Sequence, residues 1–269
     1  MSDQDSAIDA LVRAVAGSTK YKYVSEELVR AIGARELAKG LSTKAAIKAT
    51  KNKLHQIGGA YLPGRVDYEG ALTMLRAAGS PAAWQETCRA IMGLHASTRE
   101  RLPILDSFYI TLFAGLPAPD SILDVACGLN PLARSWMPLD DNNVYVAYDI
   151  YEDMMAFLQD YMALAGIHGR ANVRDVIHDP PRERVDLALL LKTLPCLEQA
   201  EKGASARLLD AINARHLVIS YPVASLGGRQ KGMIDTYEEQ FAALAEGRGW
   251  STQRFLFDSE LAFVVDTGQ

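Results

Sequence analysis

Cysteine is scarce in this chain of 269 residues: Cys88, Cys127 and Cys196 are an odd number with no Cys-x-x-Cys pair. That excludes a disulfide framework and a thiolate zinc site, and leaves three reduced thiols as the expectation. The five histidines, His55, His95, His168, His178 and His216, are scattered without the close pairing of metal ligands, so no metal is expected. No run approaches the roughly 20 apolar residues that a bilayer span requires. The opening stretch, MSDQDSAIDA, is acidic where a signal peptide is basic, which points to the cytoplasm. Internal repeats and low-complexity segments are also missing. What is present, 49% hydrophobic and 23% charged residues, describes a globular chain long enough for one large domain and a smaller one.

One absence is local. Between Glu36 and Asp67 there is no acid, while Lys39, Lys44, Lys48, Lys51, Lys53 and Arg65 supply positive charge. Residues 1–76 hold 12 Lys/Arg against 8 Asp/Glu, net +4, so the remainder, 16 against 25, carries −9 of the overall −5. Within this patch Ile47, Thr50, Leu54 and Ile57 recur at helical spacing, and Lys44, Lys48, Lys51 and His55 recur on an adjacent face. One face can pack on the protein while the other offers cations to phosphates. The alternative is an ordinary solvated face.

Up to about Phe113 the chain reads as helices separated by breaks at Gly58-Gly59, Pro63-Gly64 and Gly79-Ser80-Pro81. After that, apolar β-rich runs alternate with helix-length segments: SILDVA, VYVAYDI, ANVRDVI, DLALLLK, HLVISYP, RFLFD and LAFVVDT. Strands apolar on both faces predict a mostly parallel sheet of seven strands covered on both sides, an α/β fold. In such sheets ligands sit beyond the carboxyl ends of the strands, near the switch in strand order.

The loops there carry acids. ILDVACGLNP places Asp124 near the end of the first strand and Gly128 in the turn. This is a degenerate relative of the Asp-x-Gly-x-Gly turn of class I, Rossmann-like methyltransferases, with Ala126 and Asn130 where glycines are usual. It lacks Gly-x-Gly-x-x-Gly, which counts against a nicotinamide cofactor. Asp149 follows Asp124 by 25 residues at the end of the second strand, and Asp175 follows the third. An acid closing a strand is often only a helix cap. Three in register with a glycine turn suit the ribose and adenine of S-adenosylmethionine (SAM).

Together, ILDVACGLNPLA, LHASTRERL, LLKTLPCLE, KLHQIGGAY and SLGGRQKGM resemble the aminoglycoside-resistance family of 16S rRNA guanine-1405 N7-methyltransferases over nearly the whole chain. The resemblance implies a helical, basic subdomain for docking the small ribosomal subunit at residues 1–105 and a SAM-binding methyltransferase domain at 106–269. It implies that Arg101 reaches the SAM carboxylate and that Ala126 and Gly128 shape the amino-acid pocket. Asp149 with Ile150 would hold the ribose, Asp175 with Val176 would frame adenine, and Leu191 would lie along the cofactor. Lys192, Arg229 and Lys231 would contact RNA around the flipped nucleotide, and Met233 would pack on the guanine. Lys20, Lys48, Lys51 and His55 would help dock the subunit. Gln199 departs from the arginine that some family members carry, which puts one phosphate contact in doubt.

Each of these residues also has a plainer reading: Met233 as core, Lys192 as a snorkelling lysine, His55 as a local cap. Guanine N7 carries a lone pair and no proton, so no catalytic acid, base or nucleophile is expected, only alignment. Two rival functions stay open from sequence alone: a methyltransferase for a small metabolite, and a non-catalytic RNA-binding protein on the same scaffold.

Overall fold

The computed structural model describes residues 3–59, 61–62, 64–224 and 232–269. Seven helices come first: α1 (Asp3–Ala16), α2 (Glu26–Ala38), α3 (Thr43–Leu54), α4 (Tyr68–Ala77), α5 (Pro81–Met92), α6 (Ala96–Arg101) and α7 (Leu105–Phe113). Their starts follow the local chemistry. Ser42, Asp67 and Ser80 accept from the backbone N–H of Ala45, Gly70 and Ala83, and Pro81 occupies the first turn of α5, where its missing N–H costs nothing. Pro63, from one expected break, lies outside the described residues. At Gly58-Gly59 the chain does not break but widens into a π-helical turn, His55–Gly59. A Cβ at Gly58 would meet the Tyr151 hydroxyl at 2.7 Å, so glycine there permits close approach to the sheet domain.

The sheet has seven strands: β1 (Ser121–Val125), β2 (Val144–Asp149), β3 (Gly169–Val173), β4 (Arg184–Leu191), β5 (Asn213–Pro222), β6 (Ser251–Leu256) and β7 (Glu260–Asp266). Their order is β3-β2-β1-β4-β5-β7-β6, with β7 alone running antiparallel to its neighbours. All seven expected strands are present. The connections are less regular than expected, because only some are α-helical: α8 (Glu152–Leu164), α9 (Thr193–Ala200), α10 (Ala204–Ala211) and α11 (Met233–Ala245). After β1 the chain makes a 3-10 turn, Asn130–Trp136, opened by Pro131. Between β3 and β4 no helix forms, and Pro180-Pro181, lacking N–H donors, accounts for it.

Alternate residues of the central strands enter two cores. Ile122, Leu187 and Leu189 face one that also takes Leu11, Leu28, Leu54, Leu75, Met92 and Phe108 from the first helices, together with α8. Leu123, Ala188 and Leu190 face the other, built with α9, α10 and Phe241 of α11. The amino-terminal helices therefore share a continuous apolar core with the sheet across residue 105. Val24 forms a β-bridge with Tyr151, and the Ser25 N–H donates to the Ile150 carbonyl at 2.9 Å, which ties the entrance of α2 to the end of β2.

Candidate cofactor cleft and nucleic-acid face

The switch in strand order falls between β1 and β4, and a cleft opens there, beyond the carboxyl ends of β1, β2 and β4. That position, at the switch point of an α/β sheet, suits a nucleoside ligand. Two side-chain-bearing residues at its rim hold the left-handed backbone conformation, Ala126 at φ 52° and Lys192 at φ 60°. Such strain in non-glycine residues persists where surrounding structure holds it, typically at ligand sites. Around Lys192 the hold is visible: its N–H meets the Ser220 carbonyl at 3.0 Å, and the Thr193 hydroxyl donates to the Val125 carbonyl at 2.9 Å.

Ala126, Asp149, Ile150, Asp175, Val176 and Leu191 all line the cleft. Asp149 is buried, and its carboxylate accepts the Gly128 N–H at 2.8 Å and the Ile150 N–H at 2.7 Å. Burial raises its pKa, while these backbone donors oppose the rise. Each oxygen keeps a lone pair for a further donor. Gly128 stands behind this wall at φ 52°, with no room for a side chain, since a Cβ would meet the His95 ring at 2.8 Å.

Arg101 is placed differently from the rest. It does not line the cleft, and it is 1% exposed. Its Nε and one terminal nitrogen donate to the two oxygens of Glu260 at 2.8 and 3.1 Å, and the other donates to Asn130 Oδ1 at 2.8 Å. Lys192 lines the cleft, yet its ammonium turns inward to Glu100 at 2.8 Å, Glu260 at 3.3 Å and the Ser97 carbonyl at 3.1 Å. Burial alone would push the Glu260 carboxyl up, but Arg101 and Lys192 hold it below the usual range. Asp124 sits in the same buried layer, accepting from Asn130 at 2.9 Å and Tyr145 at 2.7 Å. Burial raises it to about 6.

The basic helix is as expected from its periodicity. Thr50 and Leu54 are buried and Ile47 packs against the core, while Lys44, Lys48 and His55 are exposed and Lys51 is half-buried. Exposed Lys20 joins them, its ammonium 3.1 Å from His55 Nδ1. Gln199 is exposed at the end of α9, where its carbonyl accepts from Lys53 at 2.9 Å. Met233 is half-buried at the start of α11, and Arg229 and Lys231 lie outside the described residues.

Sequence reasoning missed His95, Tyr61 and Glu260. His95 lines the cleft stacked on Tyr61, with ring centroids 5.9 Å apart. Its Nδ1 is buried without a hydrogen-bond partner among the described residues. Burial, with Lys192, Arg101 and Arg99 nearby, lowers its pKa to about 3, so the ring is neutral at pH 7. The ring is thus a neutral wall of the cleft, with one polar atom left unused behind it against Gly128. Glu260 did leave a trace in sequence, as a lone acid opening an apolar strand.

Comparison with known proteins places this geometry. The family model described as "Ribosomal RNA methyltransferase (FmrO)" matches residues 17–264. The chain belongs to this family. Among its relatives, the 16S rRNA (guanine(1405)-N(7))-methyltransferase of Frankia casuarinae is 40% identical over 98% of this chain and 95% of its own length. The enzyme of the same name from Micromonospora echinospora is 38% identical over 98% of both chains. The crystal structure of the 16S rRNA methyltransferase RmtF in complex with S-adenosyl-L-homocysteine superposes with a TM-score of 0.82 at 32% identity, covering 99% of each chain. Among the described residues no cluster of potential metal ligands occurs and no helix is long and apolar enough to cross a membrane.

Proposed function

We propose that this FmrO-family chain transfers a methyl group from SAM to N7 of guanine 1405 of 16S rRNA within the small ribosomal subunit, in the cytoplasm. The observation that carries the reading is the cleft at the strand-order switch, where Asp149 and Asp175 stand at the ends of β2 and β3. SAM supplies an electrophilic methyl group on a sulfonium. Asp149 holds the ribose hydroxyls with its remaining lone pairs, Asp175 and Val176 frame the adenine, and Leu191 lines the path to the target base. His95, neutral and with its Nδ1 lacking a partner among the described residues, lines the amino-acid end. Arg101 supports that end from behind, by fixing Asn130 and Glu260. Lys192 reaches RNA only on leaving Glu100.

Because N7 needs no deprotonation, the protein's task is to exclude water and hold the base in line, where orientation is worth up to about 7 to 11 kcal/mol. The flipped base costs on the order of a few kcal/mol in lost stacking, offset by contacts in the cleft. Residues 1–105 provide docking through Lys20, Lys48, Lys51 and His55, and residues 106–269 provide transfer, with Gln199, Arg229, Lys231 and Met233 near the target. Methylated N7 carries positive charge and accepts no hydrogen bond, which opposes polycationic aminoglycosides and produces resistance.

The test is to incubate small subunits with protein and SAM, then map the modification by borohydride–aniline cleavage and primer extension. Cleavage at guanine 1405 supports the proposal. Modification of an adenine N1 instead, or SAM binding with no subunit modification, overturns it.

A further inference from the structure

Asp175 is held from outside the cleft. Its Oδ1 accepts the Ile177 N–H at 3.1 Å, and its Oδ2 is bonded by His178 Nδ1. An ionised carboxylate only accepts, so Nδ1 carries the proton, which leaves Nε2 on the far side of the ring. Arg35 of α2 stands there, its terminal nitrogen 2.6 Å from Nε2. A guanidinium only donates. With the guanidinium as donor at Nε2, Arg35 donates to His178 and His178 donates to Asp175, while Glu201 Oε2 lies 3.5 Å from the same Nε2. Arg35 is in turn anchored at both ends, by its own helix through the Ala31 carbonyl at 3.2 Å and by Glu201 beyond α9. The same α2 lends Leu28 to the cleft wall.

We infer that His178 is a positioning residue for the adenine end of the cleft, and that Arg35 makes α2 part of cofactor recognition as well as of docking. The inference rests on the reading that the cleft holds SAM with its adenine at Asp175. A carboxylate pinned through Oδ2 and by the Ile177 N–H keeps its remaining lone pairs in one direction, which suits the 6-amino group of adenine. A 6-oxo group at that place sets acceptor against acceptor. The relay is thus a specificity device, and loosening it lets the carboxylate turn away.

The experiment is calorimetry of S-adenosylhomocysteine and its inosine analogue, which has oxygen for the 6-amino group, against the full-length protein. The wild type is expected to prefer the adenosine compound by about tenfold or more. His178→Ala and Arg35→Ala, at side chains 37% and 39% exposed and so compatible with folding, are expected to weaken it and reduce the preference to about threefold or less. His178→Asn places an amide N–H near the Nδ1 position and is expected to recover most of the preference. Wild-type preference in both alanine variants overturns the relay while leaving the cleft assignment standing. A preference lost in His178→Ala and not recovered in His178→Asn assigns the loss to packing and overturns the donor role. A wild type that binds neither compound, or both equally, overturns the cleft assignment and the relay with it.

Discussion

Two sets of cations lie in this molecule under opposite conditions. On α3, Lys44 and Lys48 face water, on a stretch with no acid in its sequence. At the base of the cleft, Arg101 and Lys192 are buried and matched to Glu260 and Glu100. The difference teaches what each charge can do. An exposed cation keeps its counterions loosely and exchanges them for phosphate, so it is available to RNA. A buried cation is stabilised only by its partner, so its work is to fix geometry.

The sharpest way to break this comparison is to remove Glu260. Glu260→Ala leaves Arg101 without its carboxylate partner and Lys192 with Glu100 alone, and a stability loss of about 3 to 5 kcal/mol is expected in urea unfolding. Lys48→Glu combined with Lys51→Glu, by contrast, should leave the unfolding midpoint nearly unchanged. A small effect of Glu260→Ala would mean that water reaches this layer and the contrast with α3 is lost.

The buried layer should also show itself through pH. Asp124 binds its proton more tightly in the folded state, about 6 against an ordinary 3.8. Its contribution therefore favours the fold when protonated, and is lost as pH rises from about 4 to about 6, on the order of 3 kcal/mol in all. Asp124→Asn removes that dependence, so its stability relative to the wild type should improve from pH 4 to pH 7. Parallel stability–pH curves for the two proteins would contradict the assignment.

Effects on the ligand are smaller and separate the two regions. Asp149→Ala should weaken SAM binding by about 1 to 3 kcal/mol with the fold intact, because it leaves ribose hydroxyls unpaired. Calorimetry beside circular dichroism checks both halves of that statement. The paired Lys48 and Lys51 reversal should weaken subunit binding by about tenfold or more at low salt, less at high salt, with SAM affinity unmoved. Fluorescence competition for subunits at several salt concentrations reads this, and unaltered subunit affinity would return α3 to an ordinary solvated face.

Much of this was legible in sequence where the signal is local or periodic. The strand runs marked all seven strands, because a doubly covered sheet needs residues apolar on both faces. The alternation of Ile47, Thr50 and Leu54 with Lys44, Lys48 and Lys51 located the basic face. The acids Asp149 and Asp175 were read as cleft residues because strand ends converge in this fold. The connections were read less well, since Pro131 and Pro180-Pro181 act on segments otherwise long enough for helices.

Sequence by itself determined the α/β class, the placement of the strand-end acids and the exposed cations of α3, since all follow from periodicity, strand length and the chemistry of single residues. Only the tertiary structure decided that the guanidinium of Arg101 turns to Glu260, 159 positions away, that Lys192 bends inward, and that His95 stacks beside Tyr61 above the glycine turn. Those outcomes depend on which side chains meet across layers. A buried charge takes the nearest carboxylate in space, and distance along the chain carries no record of that meeting.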